Sequence, residues 1–351
     1  MLWRCRPTGT IRRLLVGVAL LAGVLVVASA VSMTVGPVRI PLTHVAAIVL
    51  APTGLQIASY TRTEYVVVEQ LRLPRIAVAA LVGMALGVAG AAMQALFRNP
   101  MADPGIIGVS AGGATGAVLA IALGLNQLSS LALPFFAFAG AVGAASLVYG
   151  IALLGGRFSM STLLLAGVAV SAFLSAVISA ILVLEPNNET LRSILFWLAG
   201  GLDSQTWENV KLSAPLILGG SSLIALLSRD LNLLMLGDDE ARAMGVRVNL
   251  IRPVLIAAAS LVTGAAVAIS GTIAFAGLVV PHMLRLVFGP DHRVLIPVSA
   301  VGGAVFLVVA DTLARTIIQP AEFHVGMVTA FVGAPFFIFL LIRNQRRVES
   351  F

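Results

Sequence analysis

The residues from which catalysis or metal binding could start are few in this chain of 351 residues and lie far apart. The four histidines are His44, His282, His292 and His324. The single cysteine, Cys5, excludes an internal disulfide and a cysteine-based metal cluster. No HExxH, GxSxG or GxxxxGK[ST] motif occurs, so we expect no zinc hydrolase, nucleophile elbow or phosphate-binding P-loop. We therefore predict no catalytic, cofactor-binding or metal-binding residue and no enzymatic activity.

The composition instead indicates a membrane protein. Apolar residues make up 59% of the chain and charged residues only 11%, whereas soluble domains have about 25% charged residues. That little charge cannot cover a water-exposed surface. The net charge of +7 is scattered between apolar runs and forms no single basic patch, which argues against a nucleic-acid partner. We predict an all-α integral membrane protein in contact with lipid.

Ten apolar runs predict membrane-crossing helices, since a crossing needs about 20 apolar residues. The first run follows Arg12 and Arg13 as in a secretory signal, but it is longer than the roughly 7–15 apolar residues of a signal peptide, so we expect a retained helix. With ten crossings most of the 22 basic residues lie on the side of the termini, which predicts cytoplasmic termini. The runs lie near residues 14–35, 73–97, 105–124, 131–154, 160–184, 211–228, 249–270, 272–288, 294–318 and 325–342.

Other patterns concern how these helices pack. The stretch LVGMALGVAG at 81–90 resembles LVTGAAVAISG at 261–271, and the two copies would run in opposite directions, which predicts an inverted repeat. Gln94 and Asp311 are polar residues within predicted spans, where polar side chains face the interior of the bundle. Arg315 follows Asp311 by four residues, so the two can pair on one helix face.

Two polar segments have unusual sequences. In FRNPMADPGIIGVSAGG at 97–113, Pro100 and Pro104 end the preceding helix and predict a tight cytoplasmic turn. The segment GDDEARAMGVRV at 237–248 is too short and too charged to span a bilayer, and it predicts a short cytoplasmic helix that ends at Gly245. This segment is either a docking element or a solvated loop.

Together with three further motifs, these segments resemble a known family. The motifs are LRLPR at 71–75, IAFAGLVVPHMLR at 273–285 and PAEFHVGMVTAFVGAPFF at 320–337. The resemblance covers about residues 71 to 342 and is to the permease subunits of bacterial ABC importers for haem, vitamin B12 and ferric siderophores, the FecCD-like family. It implies that residues 1–351 form one transmembrane permease domain of the type II ABC importer fold in the bacterial inner membrane.

The resemblance also implies partners and their contact residues. A second copy of the chain would complete the translocation path, two ATP-binding cassette subunits would bind ATP and Mg, and a periplasmic binding protein would dock outside. Arg72, Arg75 and Arg315 would meet glutamates of the binding protein, because the arginine fork bonds a carboxylate through two donors. The coupling helix that contacts the ATPase would comprise Asp238, Asp239, Glu240, Ala241, Arg242, Ala243, Met244 and Gly245.

The substrate is inferred from one motif. The turn NPMADPGIIG resembles the NPLADPGLIG form of haem permeases, whereas vitamin B12 permeases resemble NPLAEPGLLG and siderophore permeases more often carry SPDILG. We expect haem as the transported substrate, with vitamin B12 or a ferric siderophore as alternatives. An ion-coupled secondary transporter, a different class, would need a buried relay of carboxylates or histidines. Gln94 and His324 are candidates for the substrate path, His324 because the family usually has a proline there.

Overall fold

All regular structure is helical in the part of the chain that the computed structural model describes, which is residues 7–55, 57–154, 158–318 and 322–348. No strand occurs within these ranges. A π-helical segment, Val66–Arg72, joins α3 to α4. The helices are α1 (Pro7–Thr34), α2 (Leu42–Leu50), α3 (Arg62–Tyr65), α4 (Leu73–Leu96), α5 (Val109–Ala122), α6 (Ala132–Leu153), α7 (Met160–Leu184), α8 (Asn188–Leu198), α9 (Trp207–Leu226), α10 (Ser228–Leu234), α11 (Asp238–Ala243), α12 (Val248–Ser270), α13 (Ala276–Phe288), α14 (His292–Thr316) and α15 (Val325–Val348).

The prediction of an all-α membrane protein is confirmed, and a helix is present at each of the ten predicted runs. In the described residues, seven helices are long and apolar enough to cross a membrane. The predicted runs that correspond to α5, α13 and α15 are shorter apolar helices, so the count of ten crossings stays a prediction. The seven long helices are Gly9–Thr34, Arg62–Leu96, Ala132–Leu153, Met160–Leu184, Trp207–Leu226, Val248–Ser270 and His292–Thr316.

Two helices start later than the sequence pattern predicts. The run predicted at 105–124 begins as α5 only at Val109, because Gly108 has φ 82° and interrupts the helix after a short 3-10 turn. The run predicted at 272–288 begins as α13 at Ala276, because Gly271 ends α12 with φ 67° and the chain then runs without helical structure. Apolar composition alone does not mark these breaks.

The centre of the molecule is formed by α4, α12 and α14. Most of the apolar stretch of each of these helices is buried, 78% in the spans of α4 and α12 and 67% in α14, whereas α1 buries 6% and α7 buries 11%. Peripheral helices with that little burial present their apolar side chains to lipid in a membrane protein.

Small residues allow the backbones of α4 and α14 to touch. A Cβ added at Gly83 would lie 2.1 Å from the carbonyl oxygen of Gly303, and one at Gly87 would lie 2.3 Å from that of Ser299. Residue numbers rise in α4 as they fall in α14, so the two helices run antiparallel. Such close approach is typical of helix packing in membranes, where small residues line the contact.

Candidate coupling and docking sites

Two candidate sites lie at the two ends of α4. Arg72 ends the π-helical segment and Arg75 lies in the first turn of α4, whereas Arg98 follows its last turn. A helix of 24 residues is about 36 Å long, so a site near Arg75 and a site near Arg98 are separated by the thickness of a bilayer core.

The guanidinium of Arg75 connects three acidic side chains. Its Nε donates to both oxygens of Asp311, at 3.0 and 3.1 Å, and its Nη2 donates to Asp311 Oδ1 at 2.9 Å. Its Nη1 donates to Glu322 Oε2 at 2.9 Å, and Nη2 lies 3.5 Å from Asp203 Oδ1. The Arg75 side chain is only 13% exposed, so most of it contacts the protein and a small part contacts solvent.

The other two predicted docking arginines are buried. Arg315 pairs with Asp311 across one turn of α14, with Nε 3.2 Å from Oδ2, and its Nη2 donates to Ser32 Oγ at 2.6 Å. The Nε–H of Arg315 is not directed at that oxygen, so this contact is an ion pair and not a hydrogen bond. Arg72 donates to the backbone carbonyls of Met33 and Val38. The structure thus brings Arg75 and Arg315 together on Asp311, and Arg72 has its own partners in the last turn of α1 and in the segment after it.

No local pattern marks Asp203 or Glu322 as a partner of Arg75, and they lie in the segments before α9 and before α15. Both side chains are partly exposed, at 49% and 33%. Burial raises the pKa of Asp203 above its usual value in spite of the nearby Arg75 charge. Burial acts in the same direction on Glu322, but the charge and hydrogen bond of Arg75 outweigh it and lower the pKa of that carboxyl.

The two residues proposed for a substrate path lie in different surroundings. His324 lines a cavity of about 430 Å³ beside Trp197. Its ring packs on Phe196 at 4.9 Å between centroids, and its Nε2 lies 4.0 Å from Asp203 Oδ2. Pro320 and Ala321, which begin the motif before His324, lie outside the described residues.

Gln94 is buried inside the bundle, and both ends of its amide are bonded there. Its Nε2 donates to the carbonyl of Leu278 at 3.1 Å and more weakly to that of Gly277 at 3.4 Å. Its Oε1 accepts from Arg285 Nη2 at 2.8 Å. These bonds tie α4 to α13, which is what a buried amide in a helix bundle does when it is fully satisfied.

At the opposite end of α4, the segment 237–248 contains the short helix α11 followed by Gly245 in a left-handed conformation with φ 88°. Ala241 is buried, whereas Asp239 is 95% exposed and pairs with Arg242 at 2.9 Å. One face of α11 therefore packs on the protein, and the other carries charged side chains available to another molecule.

Asp238, the first residue of α11, is held by two arginines that no sequence motif marks as functional. Its Oδ1 accepts from Arg98 Nη2 at 2.7 Å and from Arg252 Nη2 at 2.5 Å. The hydrogen bond from Arg252 lowers the pKa of Asp238, burial opposes this, and the charges of both arginines lower it further. The carboxylate is therefore ionised at neutral pH.

Comparison with known proteins gives the same family along most of the chain. The model of the FecCD transport family matches residues 24–343. The cobalamin import system permease protein BtuC of Halobacterium salinarum is 42% identical over 93% of this chain and 96% of its own. The hemin transport system permease protein HmuU of Yersinia pestis is 40% identical over 79% of this chain and 83% of its own.

Solved structures show the same relationship. A structure described as an inward-facing conformation of a metal-chelate type ABC transporter superposes with a TM-score of 0.79 at 32% identity. The match covers 93% of this chain and 98% of that chain. The similarity therefore extends to the order and arrangement of the helices.

Proposed function

This chain belongs to the FecCD transport family, and from that premise we propose that it is the haem permease of an ATP-driven importer. It is the permease subunit of an ABC importer of the metal-chelate type and a multi-pass inner-membrane protein. It is not an enzyme, because the ATPase of such importers is a separate subunit. This membership excludes the alternative of an ion-coupled secondary transporter.

The observation that carries the permease function is the match to the family over residues 24–343, which includes all helices from α2 to α14 and therefore α11. The lack of a GxxxxGK[ST] motif in the sequence agrees with ATP hydrolysis by a partner. We propose that the exposed face of α11 contacts the ATP-binding subunits. Two copies of the chain, two such subunits and one periplasmic haem-binding protein would then form the importer, with both termini in the cytoplasm.

The proposal of haem rests on the turn NPMADPGIIG at 99–108, which resembles the form found in haem permeases. The relatives do not separate the substrates, because proteins named for cobalamin, hemin and Fe(3+)-citrate import are 42%, 40% and 41% identical to this chain. We expect this turn on the cytoplasmic side of the membrane, where it would mark lineage and would not contact the substrate. His324 at the cavity of about 430 Å³ is the residue we propose for a contact with incoming haem iron through its imidazole.

Cobalamin is the second candidate. The match that covers 93% of this chain is to a cobalamin import permease, a larger share than the 79% covered by the hemin permease. Coverage measures shared length and not shared substrate, and the two identities, 42% and 40%, are nearly equal. We therefore place cobalamin after haem on the strength of the turn.

Substrate identity is tested by ligand-stimulated ATP hydrolysis. The chain would be reconstituted in proteoliposomes with its ATP-binding subunits and its binding protein. We expect haem to raise the ATPase rate and to accumulate inside, and cobalamin and ferric siderophores to do neither. Stimulation by cobalamin alone would replace haem by the second candidate. Failure of the chain to form a complex with any ATP-binding subunit would contradict the permease function itself.

We propose that Arg72, Arg75 and Arg315 dock the binding protein. The contacts of each arginine decide which substitution can test this proposal. Arg72→Glu would place a carboxylate against the carbonyls of Met33 and Val38, so it would report on folding. Arg75 is already paired with Glu322 and Asp203. A carboxylate of the binding protein that docks on Arg75 must therefore displace one of these two acids.

We expect Glu322→Gln to strengthen docking of the binding protein severalfold at low salt. The substitution removes an internal competitor for Arg75 and a negative charge from the docking face, and charge complementarity mainly governs encounter rates at a rim. Association and dissociation rates would be measured by surface plasmon resonance at two ionic strengths. The control is Glu189→Gln, an exposed acid at the start of α8. Equal gains in both variants, or weaker docking in Glu322→Gln, would contradict docking at Arg75.

A further inference from the structure

A single carboxylate joins the coupling helix to the centre of the bundle. Asp238 Oδ1 accepts hydrogen bonds from Arg98, which follows α4, and from Arg252, which lies in the second turn of α12. Both α4 and α12 are central helices with mostly buried apolar stretches. The first residue of α11 is therefore bonded to two helices that extend through the membrane.

The backbone around Arg98 is held in a conformation that needs such contacts. Arg98 has φ 49°, in the left-handed region that residues other than glycine rarely adopt. Its Nε donates to the carbonyl of Leu234 at 3.0 Å, at the end of α10. A conformation of this kind persists where the surroundings determine it, and it marks positions with a functional constraint. Arg98 thus connects α4, α10 and α11.

The second arginine is held equally closely. The side chain of Arg252 is 11% exposed, and its guanidinium carbon lies 5.9 Å from the centre of the Phe158 ring, in the segment between α6 and α7. A guanidinium over an aromatic ring gains cation–π attraction. Movement of Asp238 would therefore be opposed on the side of α12 as well as on the side of α4.

The link before α11 is a glycine in a conformation that other residues rarely adopt, since Gly237 has φ 140°. Glycine tolerates many backbone conformations, so this link does not itself hold α11 in place. A force on the exposed face of α11 is transmitted through its packing and through the carboxylate of Asp238.

We propose that Asp238 is a positioning residue that transmits movement of α11 to α4 and α12 during transport. This inference rests on the proposed contact of α11 with the ATP-binding subunits. The ion pairs would hold α11 to the ends of α4 and α12 as one unit, so that closure of the ATPase displaces both helices. Without the charge on Asp238, α11 would still fit the ATPase but would move with less effect on the bundle.

The test is the amount of ligand transported per ATP hydrolysed in the reconstituted complex with its binding protein. We expect Asp238→Asn to lower this ratio at least about fivefold, the lower end of typical coupling between sites, while the complex assembles and hydrolyses ATP. Asp238→Glu keeps the charge and should retain more of the ratio than Asp238→Asn. The control is Asp230→Asn on α10, an acid that forms no ion pair with the described residues, and this variant should keep the wild-type ratio.

A double-mutant cycle with Arg98→Gln separates a coupling role from a general loss of stability. If the ion pair carries the effect, the double variant should lose no more than the worse single variant, whereas independent losses multiply. Multiplying losses, or a wild-type ratio in Asp238→Asn, would overturn the positioning role and leave the permease function in place. Failure of the wild-type chain to assemble with an ATP-binding subunit would overturn both.

Discussion

Replacing Asp311 with alanine is expected to destabilise the protein by about 3–5 kcal/mol, the range found when one partner of a buried ion pair is removed. The Asp311 side chain is 1% exposed and accepts the guanidinium fork of Arg75 while it pairs with Arg315. Without Asp311, these two arginines would lose their shared buried carboxylate. A third arginine, Arg72, is close enough that its charge already repels that of Arg315. The acidic partners left to Arg75 would be Glu322 and Asp203, which are both partly exposed to solvent.

The matched control for this prediction is Asp203→Asn. Asp203 is also an acidic partner of Arg75, at 3.5 Å, but its side chain is 49% exposed. Solvent weakens an ion pair of that kind, so the expected loss is below about 1 kcal/mol. Thermal unfolding of the purified variants in one detergent, followed by size-exclusion chromatography, would compare the two losses.

A second substitution tests whether uncompensated charge is the cause. In the Asp311→Ala background, Arg315→Met removes a buried cation and keeps a side chain of similar length. Replacing buried ionic groups with apolar ones of similar volume is often neutral or stabilising, so the double variant should unfold at a higher temperature than Asp311→Ala alone. An equal or lower unfolding temperature would show that packing, and not charge, is lost with Asp311.

The helices were predictable because a long apolar run in a chain with 11% charged residues has few alternatives to a membrane helix. The short polar helix α11 was predictable for another local reason, since its alanines and acids favour a helix and Gly245 ends it. The amphipathic helix α8 was not predicted, because its 11 residues are too few for an apolar run that crosses a membrane. Its start has a local signal in Asn187, whose side chain accepts from the backbone of Glu189.

The ion pairs between residues distant in sequence could not be predicted from local pattern at either site. Asp311 lies 236 residues from Arg75 in the sequence, and Asp238 lies 140 residues from Arg98. Only the tertiary arrangement of helices brings such residues together. The pairing of Asp311 with Arg315, four residues apart, was predicted from helix geometry and is confirmed.

One signal for the position of Arg75 was nevertheless present in the sequence. Ala79, Gly83 and Gly87 recur every four residues, and Arg75 is the next member of this series toward the start of α4. Residues at this spacing lie on one helix face. Because the small residues of the series face α14, Arg75 is directed at the same helix, where it meets Asp311. The family resemblance indicates an arginine for docking, whereas the spacing places it in a helix contact.

The contact between α4 and α14 also gives the second large effect. We expect Gly83→Ala to destabilise the protein by about 3 kcal/mol or more, at or beyond the upper end of the usual cost of overpacking. The added Cβ would lie 2.1 Å from the carbonyl oxygen of Gly303, which is backbone and cannot rotate away. The helices would have to separate, and their separation would also draw Arg75 away from Asp311, which lies eight residues from Gly303 on α14.

The control is Gly219→Ala in α9, where no described atom lies within 4 Å of the added Cβ. Alanine is favoured over glycine in a helix by about 1 kcal/mol, so this variant should be equally or more stable than the wild type. Both substitutions are Gly→Ala, so the chemical change is the same. Opposite effects on stability would therefore separate the cost of the helix contact from the gain in helix propensity. Thermal unfolding in detergent would measure both, and the membrane-inserted amount would report on assembly in the cell. A Gly83→Ala variant as stable as Gly219→Ala would mean that α4 and α14 are not in backbone contact in the native protein.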